Sequence, residues 1–374
     1  MSLKKPAHGY MVQLDGLRAI AVIIVILFHW TPEVKQTGLG GLGVQLFFVL
    51  SGYLITGILL SARTKAEALG AGNWQILKSF YARRFLRIFP PYYLTIAVTA
   101  ALGAYNVLEH LPWHLTYLTN FAIFMEGSWI GEASHLWSLA VEEQFYLLWP
   151  FVILFTPRRY LTLTIVGFIV LAPVFKLTCL FLDIGGSRLG VLPVSSFHYL
   201  GAGAILALLQ KSRKFTSDAS WRQALAARVQ WAGIVGLAVF AVLQFFPGLL
   251  GWHVAMPIVQ EFAVICLFTS LTMGAAQGFK GLGGSLLASK PMVYIGQISY
   301  GLYLFHNFVP YFVNKALRAF KLAGALSTGQ MLLVYGVVLF VLSALSWHIF
   351  ERRLNKYKDH FPYVKQTPET LAVK

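Results

Sequence analysis

The sequence predicts an all-α fold, a polytopic membrane helix bundle, on three observations. Its 374 residues are 57% hydrophobic and only 12% charged, about half the charged share of a soluble domain. Mean hydropathy is +0.66. Apolar runs long enough to cross a bilayer recur along the whole chain, and the basic residues gather in every second gap between them.

Taken in order, the apolar runs fall near residues 12–30, 43–62, 89–105, 136–156, 161–182, 196–210, 229–247, 256–276, 291–313 and 329–350, about ten spans. Arg18 interrupts the first run and no small-residue cleavage site follows it, so it reads as a retained anchor. The second opens from a glycine-rich loop and carries small residues suited to close packing. Pro90-Pro91 is expected to open the third, because proline is favoured in a helix's first turn. The fourth begins after His135 and bears Glu142 and Glu143. Arg158 and Arg159 introduce the fifth, and Lys211 closes the sixth. The ninth contains Ser299 to His306, and Arg352 and Arg353 close the tenth. Residues 1–350 therefore read as one membrane domain. Residues 351–374 read as a short basic cytoplasmic tail, too charged to fold alone, and no appended periplasmic domain is expected. The run from His114 to Met125 is apolar but only a dozen residues long, which suits a re-entrant or interfacial piece.

Net charge is +16, and a basic excess can signal nucleic acid. Its distribution excludes that partner. With the N-terminus inside, the inner stretches hold 23 of the 30 basic residues, from Lys4 and Lys5 to the tail. The outer ones hold five, Lys35, Arg188, Lys315, Arg318 and Lys321. This bias predicts both termini on the cytoplasmic side. Cys179 and Cys266 lie in apolar runs and form neither a disulfide framework nor a metal site.

The first span holds Arg18 and His29. Eleven helical steps return to nearly the same face, with the two side chains about 16 Å apart along the axis. A charge in the bilayer is costly and normally faces a polar interior, so the pair marks a polar seam; the plainer reading is a snorkelling arginine and an interfacial histidine. Gly38, Gly40 and Gly43 satisfy G-x-G-x-x-G but lack the strand that the dinucleotide fingerprint needs, and read instead as residues for close packing. Ser51 and Tyr53 follow on the second span; Ser51 has no histidine at a fitting helical spacing to activate it. His110 and His114 have the i, i+4 spacing of a metal pair, but Pro112 between them disfavours the aligning helix and no third ligand stands out. No metal is expected.

Residues 74–91 are basic, aromatic and amphipathic. They read either as an interfacial helix on anionic lipid heads or, through Arg84 and Arg87 three residues apart, as a phosphate clamp. Ser138, Glu142 and Tyr146 share one helix face at i, i+4, i+8. Glu142 lies more than a turn inside its apolar run and needs a partner there; His29 and His135 are the candidates. Tyr303 and His306 recur in the outer half of the ninth span.

In order, these motifs resemble the acyltransferase-3 family of integral membrane acyltransferases. The matching stretches are Arg-x10-His at Arg18/His29, the run Gly-Val-x-Leu-Phe-Phe-Val-Leu-Ser-Gly-Tyr ending at Tyr53, and Arg-x-x-Arg at Arg84/Arg87. Trp-Ser-Leu-x-Val-Glu-x-Gln-Phe-Tyr from Trp137 to Tyr146 and Ser-Tyr-x-Leu-Tyr-Leu-x-His from Ser299 to His306 complete the set. The resemblance implies transfer of an acyl group, usually acetyl from acetyl-CoA, to a hydroxyl of a surface carbohydrate such as O-antigen. No permanently bound cofactor is implied; acyl-CoA, the glycan and membrane lipids are the partners. His29 would be the catalytic base with Glu142 in support, and Arg18, Arg84 and Arg87 would bind the donor. Ser51, Tyr53, His135, Ser138, Tyr146, Tyr303 and His306 would support the acceptor side. A covalent acyl-histidine route is the alternative chemistry, and a flippase of lipid-linked sugars the alternative class.

Overall fold

A computed structural model of the chain describes residues 10–37, 39–184, 186–246, 256–322 and 324–364. Lys4, Lys5, Gly38 and the tail after residue 364 lie outside the described residues. Within them every regular element is a helix, as the sequence predicts. The elements used below are α1 (Val12–Trp30), α2 (Gly41–Ala68), α3 (Asn73–Ala101), α4 (Leu111–Leu115), α5 (Thr119–Glu126), α6 (Leu136–Phe155), α7 (Arg158–Phe181), α8 (Phe197–Gln210), α9 (Ala219–Phe245), α10 (Met256–Gln277), α11 (Lys290–Gln297), α12 (Ser299–Phe305), α13 (Phe308–Ala319) and α14 (Thr328–Leu345).

Among the described residues seven helices are long and apolar enough to cross a membrane: α1, α2, α6, α7, α9, α10 and α14 with its continuation to His360. Three of the ten expected spans fall outside this set. The 89–105 run is the second half of α3, whose first half carries Lys78, Arg83, Arg84 and Arg87. The 196–210 run is α8, whose 14 residues rise only about 21 Å. The 291–313 run is broken at Ile298 and again at His306–Asn307, giving α11, α12 and α13. The expected 114–125 piece is likewise broken, into α4 and α5, and neither is long enough to span.

The chain divides into two compact units, residues 1–52 with 212–299 and residues 53–211 with 300–374. In the first, α1 packs on the start of α2 so closely that a Cβ on Gly43 would stand 2.5 Å from the Ala21 carbonyl oxygen. The expectation that this glycine serves close helix approach holds. The Gln13 amide on α1 donates to the carbonyls of Phe279 (3.0 Å) and Gly284 (3.2 Å) and accepts from the Phe279 N–H (2.7 Å). The α9 and α10 helices run antiparallel, with Gly233 against Ser270 and Gly236 against Ala263.

The second unit is organised on α6. Trp149 is fully buried and its indole N–H donates to Thr56 Oγ1 at 2.7 Å, while Tyr53 Oη donates to Gln210 Oε1 at 2.7 Å. Together these polar contacts tie α2 to α6 and to α8. Buried Arg63 donates to the carbonyls of Ile153 (2.7 Å) and Thr156 (2.8 Å) at the C-terminus of α6, where carbonyls lack helical partners and the dipole favours a cation. Glu67 holds both Arg63 and Arg158, which gathers residues that the charge bias places on one side of the membrane.

Antiparallel to α6 lies α3, with Asn73 Nδ2 on the Leu154 carbonyl and Tyr81 Oη on that of Leu147, both at 2.7 Å. Here the structure corrects the sequence reading, because α3 runs unbroken through Pro90 and Pro91. Each proline removes one intrahelical bond, and neighbouring groups can take up carbonyls at such a site in a membrane helix. Tyr300 Oη donates to the adjacent Ile88 carbonyl at 3.0 Å. The tail does not hang free over its described length. Arg83 Nη1 donates to the Lys358 carbonyl at 2.8 Å, Ser79 Oγ to that of Pro362 at 2.8 Å, and Val364 is buried.

Candidate active site

Arg18 and His29 belong to the first unit; Tyr53, Arg84, Arg87, His135, Ser138, Glu142, Tyr146, Tyr303 and His306 belong to the second. Both members of the first pair project from α1. Arg18 is half-buried and ion-paired with Asp15 one turn earlier at 3.8 Å; Asp15 also accepts from Tyr10 Oη. His29, in the last turn, is exposed, and its Nδ1 lies 2.8 Å from the Val25 carbonyl oxygen. A carbonyl can only accept, so Nδ1 carries the hydrogen and, in the neutral ring, Nε2 is the basic nitrogen. Ser51 is half-buried near the end of the first unit's share of α2.

In the second unit Arg84 sits with its guanidinium 5.0 Å from the Tyr146 ring centroid and 5.6 Å from that of Phe80. Such stacking holds a planar cation while leaving its in-plane donors able to bind an anion. Eleven residues separate Arg84 from Asn73, roughly 16 Å along α3, so Arg84 meets the middle of α6. The sequence placed it at the inner surface. Tyr146 Oη donates to Glu142 Oε1 at 3.1 Å, confirming the shared face of α6 and giving Glu142 a partner that the sequence did not name. Glu143 lies within electrostatic range of Glu142 and Arg84. His135 is buried with Nδ1 at 3.0 Å from the Glu132 carbonyl and Nε2 at 3.1 Å from that of Leu304. Both ring nitrogens thus lie within hydrogen-bond distance of a carbonyl oxygen. Ser138 Oγ and Tyr303 Oη are hydrogen-bonded, Tyr303 Oη donates to the His135 carbonyl at 3.0 Å, and the His135 and His306 rings stand 4.7 Å apart. His135, Ser138, Tyr303 and His306 thus form one buried polar knot joining α6 to α12.

The second unit also holds a group that sequence reasoning missed. Tyr117, between α4 and α5, has φ +55° and a buried hydroxyl that makes no hydrogen bond. Left-handed backbone costs a side-chain-bearing residue about 1–2 kcal/mol. The short helices around it also settle the two histidines. Pro112 falls in the first turn of α4, where proline is tolerated, so it does not separate them; their rings lie 6.4 Å apart. His110 is bonded to Glu126 at 2.6 Å. Burial works against its charge, but the Asn106 carbonyl and the Glu126 carboxylate outweigh it and raise its pKa. His114 is fully buried, its Nδ1 on Thr119 Oγ1. Burial, then the neighbouring His110, pushes it down to about 4. Among the described residues no group of three or more His, Cys, Asp or Glu side chains is arranged to hold a metal.

An all-α polytopic bundle with ionisable groups inside its spans is the class these features define. The acyltransferase-domain family model matches residues 11–350, and the chain belongs to that acyltransferase-3 family. It is 30% identical over 330 residues to the O-acetyltransferase OatA of Staphylococcus aureus, covering 82% of this chain and 51% of that protein. It is 28% identical over 320 residues to the peptidoglycan O-acetyltransferase OatA of Listeria monocytogenes (80% and 49%). It is 30% identical over 329 residues to the putative peptidoglycan O-acetyltransferase YrhL of Bacillus subtilis (81% and 49%). The chain spans about half the length of these curated relatives. No solved structure shows a significant match.

Proposed function

We propose that this chain is a membrane O-acyltransferase of the cytoplasmic membrane. It moves an acetyl group from acetyl-CoA to a hydroxyl of a cell-surface carbohydrate. Two relatives carry peptidoglycan in their names, so peptidoglycan takes precedence over O-antigen as the acceptor to test. The observation that supports the reading is the His29 Nδ1 contact with the Val25 carbonyl, which makes Nε2 the basic nitrogen of the neutral ring.

In this reading His29 Nε2 takes the proton of the acceptor hydroxyl as its oxygen attacks the thioester carbonyl. The new C–O bond forms, the C–S bond breaks, and the imidazolium returns the proton to the departing CoA thiolate. Arg84 and Arg87 bind donor phosphate, with Arg84 held edge-free by its ring stack. Arg18 lines the polar seam along α1. Glu142 acts through Tyr146 and is a positioning residue for Arg84. Ser138, Tyr303, His135 and His306 brace that side of the second unit.

Two variants test the reading. His29→Ala is expected to lower acetyl transfer by about 10²–10⁴ while retaining CoA binding. Arg84→Ala with Arg87→Ala is expected to lose CoA binding, each charge-assisted contact contributing about 1.5–3 kcal/mol. Full transfer by the histidine variant removes His29 from the chemistry, and normal CoA affinity in the double variant returns α3 to a lipid anchor. A labelled histidine that chases onto sugar supports the covalent route instead.

A further inference from the structure

Tyr117 gathers three anomalies on one side chain. It terminates α4 as a Schellman turn, with the Leu118 N–H on the Trp113 carbonyl (2.8 Å) and its own N–H on that of His114 (3.2 Å). Glycine is the usual residue at that left-handed position, yet here it is a tyrosine with φ +55°. Its side chain is more than nine-tenths buried, and its hydroxyl has no hydrogen-bond partner. The strained turn is also clamped: Gln144 on α6 donates to the Tyr117 carbonyl at 2.8 Å, and the Gln144 and Asn120 amides bond each other reciprocally at 3.0 and 3.2 Å. Strain, an unpaired buried donor and a dedicated clamp mark a side chain whose place is set for something outside the fold's own bonding.

Its surroundings define the chemistry that fits. The ring stacks on Tyr92 at 4.2 Å and lies 5.3 Å from the Phe89 ring, so the walls are aromatic and suit methylene groups. Tyr300 and Glu143 are within electrostatic range of the hydroxyl. On α3, Phe89 and Tyr92 lie five and eight residues past Arg84, about 7.5–12 Å of rise, so the Tyr117 ring stands further along α3 than the Arg84 guanidinium, which lies over Phe80. We propose that Tyr117 is a donor-binding residue: its hydroxyl donates to a carbonyl of the uncharged, amide-bearing arm of an acyl-CoA whose phosphate rests on Arg84. The inference builds on the donor reading above.

The test compares two probes on the full-length protein in detergent, acetyl-CoA and adenosine 3′,5′-bisphosphate, which keeps phosphates but has no arm. Tyr117→Phe is expected to weaken acetyl-CoA binding roughly three- to tenfold, as loss of one neutral hydrogen bond does. Affinity for the bisphosphate stays unchanged, and KM rises with kcat held. Tyr117→Gly, which suits the left-handed turn, is expected to show the same selective loss. Equal acetyl-CoA affinity in wild type and both variants, with a higher melting temperature for Tyr117→Phe, overturns the inference and makes the hydroxyl a purely structural orphan. Failure of the wild-type protein to bind either probe overturns the donor reading itself, a separate result.

Discussion

His114 shows how burial sets the behaviour of a single group. Its ring is fully buried, and its pKa is pushed down to about 4, whereas an unfolded histidine titrates near 6.5. Between those values the unfolded chain binds the extra proton, so stability falls as pH drops through 6.5 and stops falling below about 4. From pH 7 to pH 5 the loss is about 2 kcal/mol. Thermal melts are expected to show a steeper acid loss for wild type than for His114→Gln; parallel curves would contradict a buried neutral imidazole. Residues of this scale were unequally legible in the sequence. Arg18, His29 and Glu142 stand out because an ionisable group inside an apolar run is costly, and Arg84 because it pairs with Arg87 in a basic amphipathic stretch. Tyr117 does not, because tyrosine is common in such runs and its left-handed turn depends on a clamp from Gln144 on another helix. The partner of Glu142 was equally hidden, although Tyr146 lay one turn away.

At the scale of elements, helix ends and breaks carry the specificity. Arg63 closes α6 by donating to two of its last carbonyls. Arg63→Ala is expected to destabilise the protein by about 3 kcal/mol, since it leaves buried acceptors unpaired. Lysine should recover only part of this because it lacks the planar fork. Unchanged unfolding of the alanine variant would mean that water satisfies those carbonyls. Seven spans and their order were readable from length and hydropathy. The course of α3 was not, because local rules stop a helix at Pro90-Pro91, whereas α3 continues through both prolines, with Tyr300 donating to the nearby Ile88 carbonyl. The break at His306 was hidden in the same way: the ring Nδ1 lies 2.6 Å from the Tyr303 carbonyl, a contact that hydropathy does not register.

For the whole molecule the charge bias predicts orientation, and accessibility can check it. With Cys179 and Cys266 replaced, Met125→Cys, at a 71% exposed position, is expected to react with an impermeant thiol reagent outside the membrane. Lys356→Cys, in the tail docked on α3, should react only after permeabilisation; the reverse pattern would invert the topology. The proposed acyl transfer draws on groups in both units: His29 on α1 in one, and the stacked Arg84 with Tyr117 in the other. The most direct measurement supplies acetyl-labelled acetyl-CoA to membranes containing the wild-type, His29→Ala or Arg84→Ala/Arg87→Ala protein, and follows alkali-labile acetyl on the glycan. Label on the glycan with wild type and a loss of at least a hundredfold in both variants is the predicted result. Equal labelling by all three proteins, or none by wild type while it still carries lipid-linked sugar across the membrane, would contradict an acyltransferase centred on these residues.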